Sequence, residues 1–193
     1  MNKKLILAST SPYRKALLEK LNLPFSTAKP DTDETPLANE TALELVERLA
    51  IAKAQVIAKQ HSNAIIIGSD QVCVSHGDIL GKPGNYENAF AQLKAASGNK
   101  VTFYTGLAVI DSETQQVTSL VEPYIVHFRQ LTDEMIDHYL TVEQPYDCAG
   151  SFKSEGFGIS LFGRLEGRDP NSLIGLPLIS LIEILDEAGL RVI

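Results

Sequence analysis

The chain has 193 residues, 44% hydrophobic and 21% charged, enough for one ordinary globular core, and a formal net charge of −7. That balance excludes a surface that grips nucleic-acid phosphates indiscriminately, which needs clustered Lys and Arg, and no apolar run approaches the roughly 20 residues of a membrane helix. Cys73 and Cys148 lack C-x-x-C spacing and the first ten residues do not read as a signal peptide, so the expectation is reduced thiols in a soluble, cytoplasmic protein.

In chain order, residues 5–8 ("LILA") predict a buried strand, and "STSP" turns it into a helix, with Pro12 in the first turn and Ala16, Leu17, Leu18 and Leu21 at helical spacing. A short extended piece, "PFSTA", leads into the polar, proline-bounded loop "KPDTDETP". Thr41-x-x-Glu44 is a capping box, opening a helix to about Gln60 whose apolar face is expected at Leu45, Leu49, Ala52 and Val56. "NAIIIGSDQVCV" predicts a strand pair or one bent strand with Gly68 as bulge or turn, and "SHGD" closes a hairpin. A helix over 86–97 stops at Gly98 and Asn99, strands follow over 101–110 and 117–128, and a further helix spans 132–140. The glycine-rich "CAGSFKSEGFGISLFGRLEG" has short strand character, and a closing helix is expected over 176–188. Helices alternate with strands but the central hairpins are antiparallel, which predicts an α/β fold with a mixed sheet and flanking helices over a single domain, 1–193.

Several residues could carry chemistry. The first corner offers helix N–H groups, the hydroxyls of Ser9 and Ser11 and the cation of Arg14, the parts of a phosphate cradle; Ser11 acting only as a helix cap explains the same residues equally well. Asp70, at the end of "IIIGS", is placed either to hold a divalent cation or to take a proton from water. In the polar loop Asp31, Asp33 and Glu34 are acidic, with Asp31 and Asp33 better read as turn formers. Lys82 lies between Gly81 and Pro83, which constrains its backbone, and gains weight only if the "QVCVSHGDIL" hairpin brings it beside Asp70, whereas Lys53 reads first as a solvated helix residue that could supply another positive charge, and Arg164 and Arg168 as surface cations. The four histidines show no zinc-ligand spacing, and P-loop, dinucleotide and nucleophile-elbow motifs are absent.

"LASTSPYR", "DETP", "RLAIAKA", "IIGSDQVCV", "GKP", "SGNKVTFYTGLAV", "AGSFKSEGFG" and "IGLPL" occur in order along nearly the whole chain. Together they resemble the Maf family of nucleoside triphosphate pyrophosphatases, and within it the branch associated with 7-methyl-GTP. The resemblance implies a Maf/inosine-triphosphatase-like fold of two lobes around a cleft, commonly a homodimer, that cleaves a nucleoside triphosphate between its α and β phosphates with a divalent cation, Mg²⁺ or Mn²⁺. It assigns proton acceptance to Asp70, phosphate binding to Ser9 and Arg14, a further cation to Lys82, and metal ligation to Glu34 and Asp70. Tyr13, Gln71 and Glu155 fall on the positions that set base preference. Members that prefer dTTP and UTP carry arginine, threonine and glutamine there, so this chain departs from them at all three. A tyrosine ring suits the cationic base of 7-methylguanine, with a cation–π gain of about 0.5–2 kcal/mol. The carboxylate of Glu155 can accept from guanine N–H groups. Two alternatives are a dTTP or UTP pyrophosphatase of the same family and a nucleotide-binding regulator of division.

Overall fold

The computed structural model describes residues 3–193. Its strands are β1 (Lys4–Leu7), β2 (Phe25–Thr27), β3 (Ala64–Ser75), β4 (Asp78–Leu80), β5 (Lys100–Asp111), β6 (Val117–Phe128) and β7 (Phe162–Glu166). The helices are α1 (Pro12–Glu19), α2 (Ala42–Ala58), α3 (Tyr86–Ala96), α4 (Asp133–Glu143), α5 (Pro170–Ile174) and α6 (Leu178–Glu187). The sheet is mixed, as the hairpins predict: its order is β2-β1-β3-β5-β6-β7, with β4 on β3. Strand β1 runs parallel to β2 and β3, while β4 and β7 are antiparallel to β3 and β6. Two compact units divide the chain, one with the described residues up to Gln71, Thr105–Glu122 and Asp169–Ile193, the other with Val72–Tyr104 and Pro123–Arg168. No helix among the described residues is long and apolar enough to cross a membrane.

In the first unit the sheet is covered on both faces, which is why Ala64–Ile67 are all buried rather than alternating. Leu5, Leu7, Ile65, Ile67, Leu107 and Val109 pack with Leu17 and Leu18 of α1 and Leu181, Ile184 and Leu185 of α6. Ile6, Ala8, Ile66, Ala108 and Ile110 take the opposite face with Ala50, Ala54 and Ile57 of α2. The capping box is present: the Thr41 hydroxyl accepts from the Glu44 N–H, and the Glu44 carboxylate accepts from the Thr41 N–H at 2.9 Å. The buried stripe of α2 holds Leu45 and Leu49 as expected and departs from the expected one in its second half. It runs on through Ala50, Lys53, Ala54 and Ile57, leaving Ala52 and Val56 half-buried at its border.

Gly68 is not a turn, because β3 runs as one strand for 12 residues, the second of the two expected forms. Its glycine has a different cause: a Cβ there would collide with the Ala50 carbonyl and crowd the Ala54 amide at 2.9 Å. Gly106 on β5 is pressed likewise by the Val46 carbonyl, so two bare strand positions let α2 lie directly on the sheet.

In the second unit β3 and β4 are joined through His76 and Gly77, at φ of 52° and 95°, the left-handed pair a tight two-residue hairpin demands. Phe103, Phe128, Phe152 and Phe162 meet edge to face with ring centroids 4.9–5.6 Å apart. The glycine-rich segment differs from expectation: it forms two 3₁₀ turns, Ala149–Ser151 and Phe157–Leu161, and only β7 is extended. Left-handed backbone at Gly150 and Ser151 breaks any strand there. Cys73 is buried, which pushes its thiol up to about 12, while Cys148 is half-buried and equally free of any disulfide.

Candidate functional site

At the first corner, β1 ends as the Ala8 N–H bonds the Ile67 carbonyl at 2.8 Å. The Ser11 hydroxyl accepts from the Arg14 N–H at 3.4 Å, making Ser11 the cap of α1 with Pro12 at its first position. Ser9 is buried, and its Oγ accepts from the Ser11 N–H at 3.1 Å. Tyr13 occupies the first turn of α1, and Arg14 donates from Nε to the Gly175 carbonyl at 2.8 Å. Desolvation lowers the Arg14 guanidinium from its usual value, opposed by the nearby charges of Asp70 and then Glu34. These three charges therefore share one electrostatic neighbourhood.

Its hub is Lys53, a residue whose charge suggested the solvated side of α2. The side chain is only 8% exposed, and Nζ sits 2.6 Å from Asp70 Oδ1 and 2.7 Å from Glu34 Oε1. A signal was available in the i, i+4 series Leu49, Lys53, Ile57, which puts the lysine on the buried stripe. An ammonium there holds two carboxylates together that would otherwise repel. The second oxygen of each takes no hydrogen bond from a described residue.

Glu34 is carried by a loop that is itself tied to α2. Arg48 bonds both oxygens of Glu40, at 2.5 and 2.8 Å, and reaches the Thr35 carbonyl at 3.2 Å. Asp33 Oδ1 accepts from the Thr35 N–H, so Asp33 is the turn former its residue type suggests. The hydrogen bond from Arg48 holds the Glu40 carboxyl down at about 2, below the glutamate value of 4.5. A depressed carboxylate gives stability that is full above the unfolded value and lost as pH falls through the folded one. The stability difference between wild type and Glu40→Gln, read by chemical denaturation at stepped pH, is therefore expected to be flat above about pH 5.5 and to close toward pH 2.

Asp70 and Gln71 are consecutive on β3 and so serve opposite faces of the sheet. Asp70 reaches α2, whereas Ser69 and Gln71 reach the α5–α6 elbow: Ser69 Oγ donates to the Gly175 carbonyl at 2.9 Å, and Gln71 Nε2 donates to the Ser172 carbonyl at 2.7 Å. That elbow was not foreseen. Asp169, fully buried, caps α5 through the Asn171 N–H at 2.8 Å and accepts from the Ile179 N–H at 2.8 Å, fixing two turns with one carboxylate. "DPN", an Asp before a Pro at the first helical position, was its signal.

Lys82 and Glu155 belong to the second unit. Lys82 is exposed just after β4, and Glu155 is exposed before the second 3₁₀ turn, accepting from the Ser154 hydroxyl at 3.4 Å.

Among the described residues no three metal-ligating side chains cluster. Asp70 and Glu34 nonetheless fit a hard cation that arrives with a phosphate chain, since Mg²⁺ is held by one or two carboxylates plus phosphates and waters. Their unbonded oxygens are the donors that could hold it. A half-buried acid beside a lysine, with an arginine and a helix start close by, suits acid–base work on an anionic ester or anhydride.

A profile of the Maf-like protein family matches residues 4–188. The chain belongs to the Maf-like family. A Maf-like relative from Colwellia psychrerythraea, called 7-methyl-GTP pyrophosphatase, is 59% identical over 191 residues, covering 99% of this chain and 96% of the relative. Among solved structures, the Ham1 protein of Staphylococcus aureus aligns with a TM-score of 0.47 at 15% identity, over 65% of this chain and 72% of that one. In this Maf-like chain the "STSPYR" motif is thus the β1–α1 corner, "RLAIAKA" is the stretch of α2 that carries Lys53, and "GSDQ" lies within β3.

Proposed function

We propose that this Maf-like protein hydrolyses 7-methyl-GTP to 7-methyl-GMP and pyrophosphate. The observation that carries the chemistry is Asp70 held by Lys53 at 2.6 Å beside Glu34 and Arg14. The name and 59% identity of the Colwellia relative support the substrate.

Asp70 orients a water and takes its proton as the oxygen attacks the α-phosphorus; the bond to the bridging oxygen breaks and pyrophosphate leaves with its electron pair. Lys53 keeps the Asp70 carboxylate in place, while Arg14 and the Ser9 corner bind the phosphate chain. A divalent cation held by Asp70 and Glu34 would, when bound, polarise phosphoryl oxygens and offset charge on the leaving group. Tyr13 lies one residue before Arg14, a ring on which a cationic base can stack. The family resemblance alone supports a phosphate contact for Lys82, a base contact for Glu155, Mg²⁺ or Mn²⁺ as the metal, and a homodimer.

Pyrophosphate release from 7-methyl-GTP, GTP, UTP and dTTP tests this reading. We expect 7-methyl-GTP to have the highest kcat/KM. A preference for UTP or dTTP would overturn the account of the base, and absence of turnover with every nucleotide would overturn the hydrolase.

A further inference from the structure

The Gln71 amide is held in one orientation. The two Nε2 protons face three acceptors, Thr105 Oγ1 at 2.9 Å, the Ser172 carbonyl at 2.7 Å and the Leu173 carbonyl at 3.1 Å, so one proton is shared. Thr105 is fully buried, and its own proton is spent on the Ser172 carbonyl at 2.8 Å, so its oxygen can only accept from the amide. Turning the amide over would set its oxygen against two carbonyls and a hydroxyl with no proton to give. The partners thus identify the nitrogen, and Gln71 Oε1 accepts no hydrogen bond from any described residue. Gln71 itself is only half-buried.

We propose that Thr105 and the Ser172–Leu173 carbonyls turn Gln71 so that its amide oxygen alone is offered to the nucleobase, with Thr105 as a positioning residue. This rests on the 7-methyl-GTP reading. A glutamine left free to rotate could offer either end and would read donors and acceptors alike. Locked in this way, it is an acceptor only and favours a base edge rich in donors. Guanine presents an N1–H and an amino group along that edge, whereas uracil presents one N–H between two carbonyls.

Three variants and one comparison of substrates test the proposal. Thr105→Val keeps the shape and removes one of the three acceptors, so the amide is held by the two carbonyls alone and less firmly. The variant is expected to lower the ratio of kcat/KM for 7-methyl-GTP over UTP about fivefold, through KM, and Thr105→Ser is expected to restore it. Because both substrates carry the same triphosphate, a merely structural loss would lower both and leave the ratio alone. Gln71→Glu sets a carboxylate against the two carbonyls and is expected to lower Tm by more than about 4 °C, a readout independent of turnover. A ratio within twofold of wild type in Thr105→Val, no rescue by serine, or an unchanged Tm in Gln71→Glu would overturn the proposal. Failure of the wild-type protein to turn over 7-methyl-GTP would instead overturn the reading beneath it.

Discussion

Asp70→Asn is expected to lower pyrophosphate release from 7-methyl-GTP on the order of a thousandfold while the protein still folds. The amide preserves the outline of the carboxylate and can still accept from Lys53, which keeps its second partner, Glu34. What it cannot do is take a proton from water. The folded state therefore loses one arm of an ion pair, whereas the reaction loses its proton acceptor. Turnover measured beside a melting curve separates the two effects. Activity within tenfold of wild type in a folded Asp70→Asn protein would remove Asp70 from the role of base.

Gly68→Ala is expected to destabilise the protein by about 3 kcal/mol, at the upper end for overpacking, and to lower Tm by roughly 6–12 °C. One methyl group does this because the atoms it meets are backbone. The Ala50 carbonyl and the Ala54 amide cannot rotate away as a side-chain tip would, so α2 must lift from the sheet. Lys53 lies on that stretch of α2, and activity should fall with stability. A thermal melt compared with Gly163→Ala, where an added methyl would find only ordinary contacts at 3.8 Å, checks it. Equal melting temperatures for the two variants would show that the helix yields at no cost.

Local signals were readable where one residue type has one main structural use. Pro12, the Thr41–Glu44 box and the His76–Gly77 turn marked their elements, and residues 117–128 form a strand with the expected bounds. The signals that failed were those set by distant partners. Gly68 looked like a break because nothing in its neighbourhood announces that a helix 14–18 residues earlier lies against it. Lys53 looked solvated because its charge was weighed without the two carboxylates that receive it, one from a loop and one from a strand. Thr105 gave no sign at all, since a threonine in an apolar strand is ordinary until Gln71 and Ser172 are seen around it.

The alternation of side chains along β3 gives Asp70 and Gln71 different supporting casts: Lys53 and Glu34 for the first, Thr105 and the α5–α6 elbow for the second. Neither set of contacts contains a member of the other. If the acid acts on the phosphate chain and the amide reads the base, selection could retune which base is accepted by exchanging residues such as Thr105 while Asp70, Lys53 and Glu34 stay untouched and Arg14 keeps its hold on the Gly175 carbonyl. A scaffold of this kind can diversify its substrates by single steps without passing through an inert ancestor.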